Sequence, residues 1–272
     1  MTWAAMENSA AQGQPVLLFD FLLGGTHYRY TTADRSITYL TNSYAPAPIS
    51  RSNIVNGPEL RQATLQVKAP RDFPVALLYQ QAPPAADVML TIFSLHYSDP
   101  DGQGVIEWTG RVLSVSWQES EAVLSCEPIV TGILTTGLRR RWQRLCPHVL
   151  YGTSCTASAP AFAVPATIDT AASGGTVLTS STFTSAPSLA GGYLEWDTGN
   201  GYLERRSIDA HSGNQITLAY GHAQLVAGLA VTVYPGCDRT LTTCNGTFSN
   251  ILNFGGQPYL VTTNPMGGDS VF

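Results

Sequence analysis

The sequence has no long hydrophobic run, a single lysine and none of the short motifs that mark common enzyme sites. Hydrophobic residues make up 44% of its 272 residues. No apolar stretch approaches the roughly 18 residues that a membrane-spanning helix needs, so we expect no membrane span. The first residues carry neither a basic flank nor a continuous apolar segment, so we expect no signal peptide. The protein is therefore expected to stay in a reducing cytosol, where clustered cysteines indicate metal or redox chemistry rather than disulfides.

Catalytic signatures are missing as well. The sequence contains no nucleophile elbow, no His-Glu-x-x-His zinc motif, no phosphate-binding loop and no dinucleotide fingerprint. Its five histidines are dispersed, and no pair of carboxylates stands out. We therefore expect that the chain is not an enzyme.

The charge balance argues against a protein that grips nucleic acid. The formal net charge is −5, whereas nucleic-acid-binding domains are usually basic. An acidic wall can still line a passage for DNA, because it does not hold phosphate. Lys68 is the one lysine among fourteen basic residues. The arginine bias fits a component of an assembly, since arginine is enriched in interfaces, and it fits a GC-rich coding genome equally well.

Four of the five cysteines form two separated pairs. Eight residues lie between Cys146 and Cys155, and six lie between Cys237 and Cys244. Four thiolates are the ligand set of a structural zinc ion or of a [4Fe–4S] cluster. Zinc pairs usually have two to four intervening residues, and a larger cluster spans wider separations more easily, but spacing alone leaves both open. The fifth cysteine, Cys126, lies in a strand-like segment and is expected to be a buried thiol.

The first half of the chain reads as short β-strands rich in β-branched and aromatic residues and separated by Asp, Gly, Pro and Asn clusters. The predicted strands are Pro15–Phe21, Tyr28–Tyr30, Ser36–Leu40, Ala63–Val67, Val88–His96, Val105–Trp108, Gly110–Trp117 and Ala122–Cys126. One short helix is expected over Phe73–Gln81, with Asp72 as its cap. Strands of this kind favour an antiparallel barrel or sandwich.

The second half predicts another β-domain. Residues 156–190 are rich in small residues but keep a strand-like pattern, and a β-meander follows over 192–234. This meander lies wholly between the two cysteine pairs. The sequence therefore predicts an all-β protein with two barrel-like or sandwich-like domains and a small C-terminal cysteine domain. We place an N-terminal domain at 1–130, the cysteine domain at 131–160 with 235–272, and an inserted β-domain at 161–234.

Two motifs around the cysteines carry a family resemblance. Tyr151-Gly152 lies inside the first pair, and the pattern Phe248-x-Asn250-x-x-Asn253-Phe254-x-Gly256-x-Pro258 follows the second. Together with the cysteine spacings, they resemble the C-terminal domain of siphophage tail-tip hub proteins. That group includes the lambda-like tail-tip proteins, the tail hubs of gene transfer agents and the phage BR0599-type family. The specific match covers roughly residues 140–156 and 235–260.

The resemblance implies a function and a cofactor. It implies a structural baseplate hub subunit at the tip of a non-contractile phage tail, with tandem tail-tube-type β-domains. Three copies would adapt the sixfold tail tube to a threefold central fibre. The implied partners are two further copies, a distal tail protein or the tail tube, and a central fibre protein, while DNA passes through the lumen without specific binding. The implied location is the virion tail tip, after assembly in the host bacterial cytoplasm.

The implied cofactor is a [4Fe–4S] cluster held by Cys146, Cys155, Cys237 and Cys244, with zinc as the alternative. Arg239 and Tyr151 lie inside the two cysteine loops and are expected to contact this centre without being ligands. His148 is left out of the ligand set, because four cysteines suffice. The other functions to weigh are a zinc-stabilised β-rich binding module of a phage tail and a redox iron–sulfur protein.

Two further expectations concern the neighbourhood of the cysteines. Four arginines, Arg139, Arg140, Arg141 and Arg144, precede the first cysteine. They are either a solvated basic surface or a source of positive charge near the thiolates or an acidic partner. Gly255 and Gly256 are expected to permit close packing against the cysteine loops.

Overall fold

A computed structural model describes residues 3–9, 13–55, 64–97, 99, 101–134, 142–199 and 201–261. These residues form sixteen strands and three short α-helices, which confirms the all-β prediction. The strands are β1 Pro15–Leu23, β2 Thr26–Thr31, β3 Ile37–Tyr39, β4 Asn42–Pro46, β5 Ser50–Arg51, β6 Leu65–Pro70, β7 Val88–His96, β8 Gly104–Trp117, β9 Glu121–Pro128, β10 Val164–Thr167, β11 Thr170–Ala172, β12 Val177–Thr179, β13 Tyr193–Asp197, β14 Leu203–Ser212, β15 Gln215–Leu218 and β16 Ala230–Tyr234. The helices are α1 Trp3–Glu7, α2 Pro74–Leu77 and α3 Leu241–Gly246.

The strands form two sheets. The first has nine strands in the order β3-β4-β2-β1-β7-β8-β9-β6-β5, and the second has seven in the order β10-β16-β13-β14-β15-β12-β11. The chain divides into two compact units, residues 1–136 with 197–204 and residues 137–196 with 205–272. All four paired cysteines belong to the second unit. The finer three-part division made from the sequence stays a prediction.

Strand alternation builds the first core. Along β1, Phe19, Phe21 and Leu23 are fully buried on one face of the nine-stranded sheet. Val16 and Leu18, which alternate with these residues, point to the opposite face and pack in a smaller cluster that contains Tyr44. Successive side chains of a strand point to opposite faces. Both faces of β1 are apolar, and this explains its nearly continuous hydrophobic sequence.

The second sheet has a core of its own. Trp196, Phe183, Leu194 and Ile216 are almost completely buried in it. β10, β11 and β12 arise from the small-residue stretch 156–190, which confirms that this stretch is β-structure rather than a linker. None of the helices in the described residues has the length and apolarity needed to cross a membrane.

Three local predictions need correction. β8 is one continuous strand through Thr109 instead of two, because its pairing with β7 shifts register at a bulge and then continues. β4 and β5 were not predicted, since both lie in a segment rich in Asn, Ser, Ala and Pro. Finally, α2 has Phe73 instead of Asp72 as its N-cap, and no side chain caps it. Burial of Phe73 in the first core and the fixed φ of Pro74 set this helix start instead.

Candidate metal centre

The four paired cysteines line one cavity in the second unit. Cys146 and Cys155 come from the loop that precedes β10, Cys237 follows β16, and Cys244 lies in α3. The cavity has a volume of about 240 Å³. The structure therefore brings together the four residues that the sequence predicted as ligands, although about eighty residues separate the two pairs.

Tight turns and one cap give the two cysteine loops their shape. In the first loop, Gly152 N donates to Val149 O at 3.1 Å, Cys155 N donates to Gly152 O at 3.1 Å, and Tyr151 is left-handed at φ 59°. In the second loop, the side chain of Thr240 caps α3 by accepting from Thr243 N at 3.2 Å. Such a cap contributes about 1 kcal/mol. It fixes the helical turn that carries Cys244.

A backbone hydrogen bond joins the two loops directly. Cys146 N donates to Arg239 O at 2.9 Å. Arg239 adopts a left-handed conformation at φ 64°, which is uncommon for a residue other than glycine. In this conformation its N–H also donates to Cys237 Sγ at 3.3 Å. Arg239 thus contacts the cysteines of both pairs through its main chain.

Three of the four sulfurs accept N–H hydrogen bonds. Besides the Arg239 contact, Gly255 N donates to Cys146 Sγ at 3.4 Å, and Asn250 Nδ2 lies 3.6 Å from Cys155 Sγ. The fourth thiol, Cys244 Sγ, donates to Asn250 O at 3.3 Å. Thiols accept hydrogen bonds only weakly, whereas thiolates accept them well. The donors would therefore stabilise negative charge on Cys146, Cys155 and Cys237, whereas Cys244 acts as a neutral thiol donor.

At two of the four cysteines the protein environment favours the neutral thiol. Burial raises the pKa of Cys244, and the negative charge of the neighbouring cysteines raises it further. Burial also raises the pKa of Cys237, although the N–H of Arg239 partly opposes this. Gathering four thiolates here is costly without a cation, so a positively charged metal centre would supply the missing compensation.

Aromatic rings close one side of the cavity. Tyr151 donates from its hydroxyl to Pro235 O at 2.9 Å, and its ring makes edge contacts with Tyr193, Tyr234 and Phe248. Tyr193 and Tyr234 stack with ring centroids 4.4 Å apart. Burial raises the pKa of Tyr151, which keeps its hydroxyl protonated as a donor. Tyr151 therefore lines the site as a wall residue.

Gly255 and Gly256 pack against the first cysteine loop, which confirms the sequence prediction. A Cβ at position 256 would lie 2.5 Å from Arg144 O, and a Cβ at position 255 would collide with the ring of His148. That ring is held in place, because its Nδ1 is 3.0 Å from Asn253 O. Only a residue without a side chain fits at either position.

The predicted arginines have different positions. Arg144 Nε donates to Pro258 O at 3.3 Å, so this side chain ties the segment after the last cysteine to the segment before the first. Arg139, Arg140 and Arg141 lie outside the described residues.

Cys126 is fully buried in the first unit, and burial raises its pKa to about 12. The expectation of a buried thiol is thus confirmed.

Within the described part of the chain, no group of three or more His, Cys, Asp or Glu side chains is arranged to hold a single metal ion. All four paired cysteines nevertheless line one cavity.

Comparisons with known proteins assign the chain to a family. A family model described as baseplate hub protein, N-terminal attachment domain, matches residues 21–158, just over half of the chain. The chain belongs to this baseplate hub family. A second model, described as phage conserved hypothetical protein BR0599, matches residues 188–264. The first match contains Cys146 and Cys155, and the second contains Cys237 and Cys244.

Two individual proteins are also similar to this chain. A chain of the virion of a native gene transfer agent (GTA) particle superimposes with a TM-score of 0.72 over 100% of this chain and 99% of that one. At 18% identity, this likeness establishes the shared fold. An uncharacterized protein of Xylella fastidiosa (strain 9a5c) is 38% identical over 119 residues, which are 43% of this chain and 24% of that protein. The match thus spans about a quarter of that relative's length.

The family gives the baseplate hub protein its location. It is a structural phage-tail protein of the baseplate hub, as the resemblance implied. The expectation that it is not an enzyme agrees with a structural family and stays a prediction.

Sequence reasoning missed the hydrogen bonds to the cysteines. It noted Asn250 only as part of a motif, and it gave Gly255 a packing role without its N–H contact to Cys146. The signal that could have identified them is their position, since both lie within eleven residues of Cys244. Residues that close a metal loop commonly donate to the ligand atoms.

Proposed function

We propose that this baseplate hub protein acts as a homotrimer at the distal end of a non-contractile tail, where it adapts a sixfold tail tube to a threefold central fibre. Its partners in this proposal are the distal tail protein or tail tube on one side and the central fibre protein on the other. The supporting observation is that one chain contains two β-sheets, each with its own hydrophobic core. Three such chains supply six β-units, the number that a sixfold ring requires.

The proposal includes a lumen through which DNA passes without specific binding. Several arginines of the described chain are already paired with carboxylates. Arg29 Nε lies 3.2 Å from Asp20, Arg111 Nη2 lies 2.5 Å from Glu127 and Arg205 Nε lies 2.6 Å from Glu195. A guanidinium with a carboxylate partner has little net attraction for phosphate, and the chain as a whole is acidic. Retention of double-stranded DNA by the purified protein, with a steep dependence on salt, would contradict this part.

Mass measurement of purified tail tips tests the trimer. The expected copy number of the hub chain is a multiple of three, because a ring with a threefold axis contains each subunit that many times. Any other copy number contradicts the proposal. A purified chain that is monomeric in solution does not decide the question, since a tail-tube or fibre partner can be required to nucleate the ring.

We further propose that Cys146, Cys155, Cys237 and Cys244 hold a [4Fe–4S] cluster with a structural role. The bound cluster would cross-link the two cysteine loops through four Fe–S bonds. The residues fit such a group in two respects. The cavity of about 240 Å³ is far larger than the roughly 30 Å³ share of one water molecule, and the sulfurs have N–H donors from Arg239, Gly255 and Asn250.

The same geometry favours a cluster over zinc. Zinc draws four ligand atoms to about 2.3 Å from one point, and the described side chains offer no group of three or more so arranged. In a [4Fe–4S] cluster each cysteine binds a different iron, so the sulfurs stand apart around a volume. The lining of one cavity of about 240 Å³ by all four cysteines supports the cluster in this proposal.

Cysteine variants with a matched control test the ligand assignment. Cys146→Ser and Cys244→Ser should each lose most of the iron and the brown colour of the anaerobically purified protein. Cys126→Ser should keep both, because this thiol is buried in the first unit. Loss of iron in Cys126→Ser, or full iron content in Cys146→Ser, would show that the four ligands are wrongly assigned.

A further inference from the structure

Asn250 contacts a cysteine of each pair. Its side-chain Nδ2 lies 2.5 Å from Cys155 O and 3.6 Å from Cys155 Sγ. Its main-chain N donates to Cys244 O at 3.0 Å. Its main-chain O also accepts from the neutral Cys244 thiol at 3.3 Å, a contact that a metal-bound thiolate would give up. The side chain therefore holds the first cysteine loop while the main chain holds the second.

A neighbouring amide holds the Asn250 side chain in this orientation. Asn253 Nδ2 donates to Asn250 Oδ1 at 2.6 Å. With its oxygen engaged in this way, the amide turns its N–H donors toward Cys155. The Asn250 side chain is partly buried, where a hydrogen bond is stronger than it is in open water.

The geometry points to Asn250 as a positioning residue that ties the two cysteine pairs together and donates an N–H to the Cys155 sulfur. This inference rests on the proposed cluster. Hydrogen bonds to cluster-ligating sulfurs are among the features that set the reduction potential. An N–H aimed at the sulfur stabilises negative charge there, and the reduced state carries more of it. Asn250 should therefore raise the reduction potential of the bound cluster.

Asn250→Asp tests this with little change in size, because it replaces the N–H donor with a carboxylate oxygen. Asn245→Asp is the matched control, since Asn245 is an exposed residue of α3 next to Cys244 and gains the same charge. Redox titration of the anaerobically purified proteins should give a lower midpoint potential for Asn250→Asp than for both the wild type and Asn245→Asp. Equal potentials in the two variants would overturn the inference.

If Asn250→Asp assembles no cluster, hydrogen exchange in the metal-free proteins tests whether Asn250 holds the two cysteine loops together. The amides of Cys155 and Thr156 both donate to Gly152 O and report on the first loop. They should exchange faster in Asn250→Asp than in Asn245→Asp, because that loop loses its contact with Asn250. Equal exchange rates would overturn the inference. A wild-type protein without iron would instead refute the proposed cluster, and the exchange comparison would still decide the role of Asn250.

Discussion

Gly236→Ala should disturb the metal centre from a position that contributes no ligand. Gly236 immediately precedes Cys237, and its N–H donates to Ser188 O at 3.0 Å. A Cβ at this position would collide with Ala190 O and lie 2.5 Å from Gly192 N. Both are backbone atoms, so no side chain can rotate away. The segment that carries Cys237 would have to move.

The expected loss of stability follows from the backbone atoms of Ala190 and Gly192, which cannot move aside as a side chain could. Overpacking a well-packed site costs about 1–3 kcal/mol, and a backbone collision places Gly236→Ala at the upper end. For a unit of this size, about 3 kcal/mol corresponds to a fall in Tm of roughly 10 °C. The displaced Cys237 should also reduce the iron content of the purified protein.

Gly246→Ala is the matched control for this prediction. A Cβ at Gly246 would meet no atom within 4 Å, and the residue lies at the end of α3. Alanine is favoured over glycine in a helix by up to about 1 kcal/mol, so this variant should be as stable as the wild type or more so. Thermal unfolding followed by calorimetry, together with iron analysis, measures both variants. If Gly236→Ala matched Gly246→Ala in Tm and in iron content, the close packing around Cys237 would be refuted.

Three further predictions address single contacts. Tyr151→Phe should lower the free energy of unfolding by about 1 kcal/mol in urea titration, through loss of the hydrogen bond to Pro235; no change would mean that water replaces this bond. Phe183→Ala should cost about 3–5 kcal/mol, because the ring is fully buried in the second core, and a cost below 1 kcal/mol would contradict that burial. The raised pKa of Cys126, about 12 against an ordinary 9.0, contributes stability that is fully present below pH 9 and is lost as the pH rises toward 12. Cys126→Ala should therefore lose less stability than the wild type over this pH range, and identical pH dependence of the two proteins would refute the assignment.

Alternation and cysteine spacing made the main features predictable. Val88–His96 has the same bounds in the sequence prediction and in the structure, because a strand with buried residues on both faces gives a mostly apolar run. The gathering of the cysteines was predictable for a chemical reason, since two pairs of cysteines in turn-rich segments are typical of a shared metal site. The short strands β4 and β5 have neither an alternating apolar pattern nor a cysteine, so the sequence did not predict them.

The environment of the sulfurs could not be predicted from sequence. The N–H of Arg239 reaches Cys237 Sγ because Arg239 adopts a left-handed conformation, which its residue type disfavours. The amide of Asn250 reaches Cys155 across 95 residues of sequence, a separation that only the folded second unit closes. Both contacts depend on tertiary structure. The sequence motif gives the position of Asn250 along the chain but not the atoms that its side chain contacts in the fold.

The metal content of the anaerobically purified chain tests the account most directly. Iron, acid-labile sulfide and zinc are determined per chain on the same sample. A [4Fe–4S] cluster held by Cys146, Cys155, Cys237 and Cys244 predicts four irons and four sulfides per chain, with zinc absent. One zinc per chain, without iron or sulfide, would contradict it.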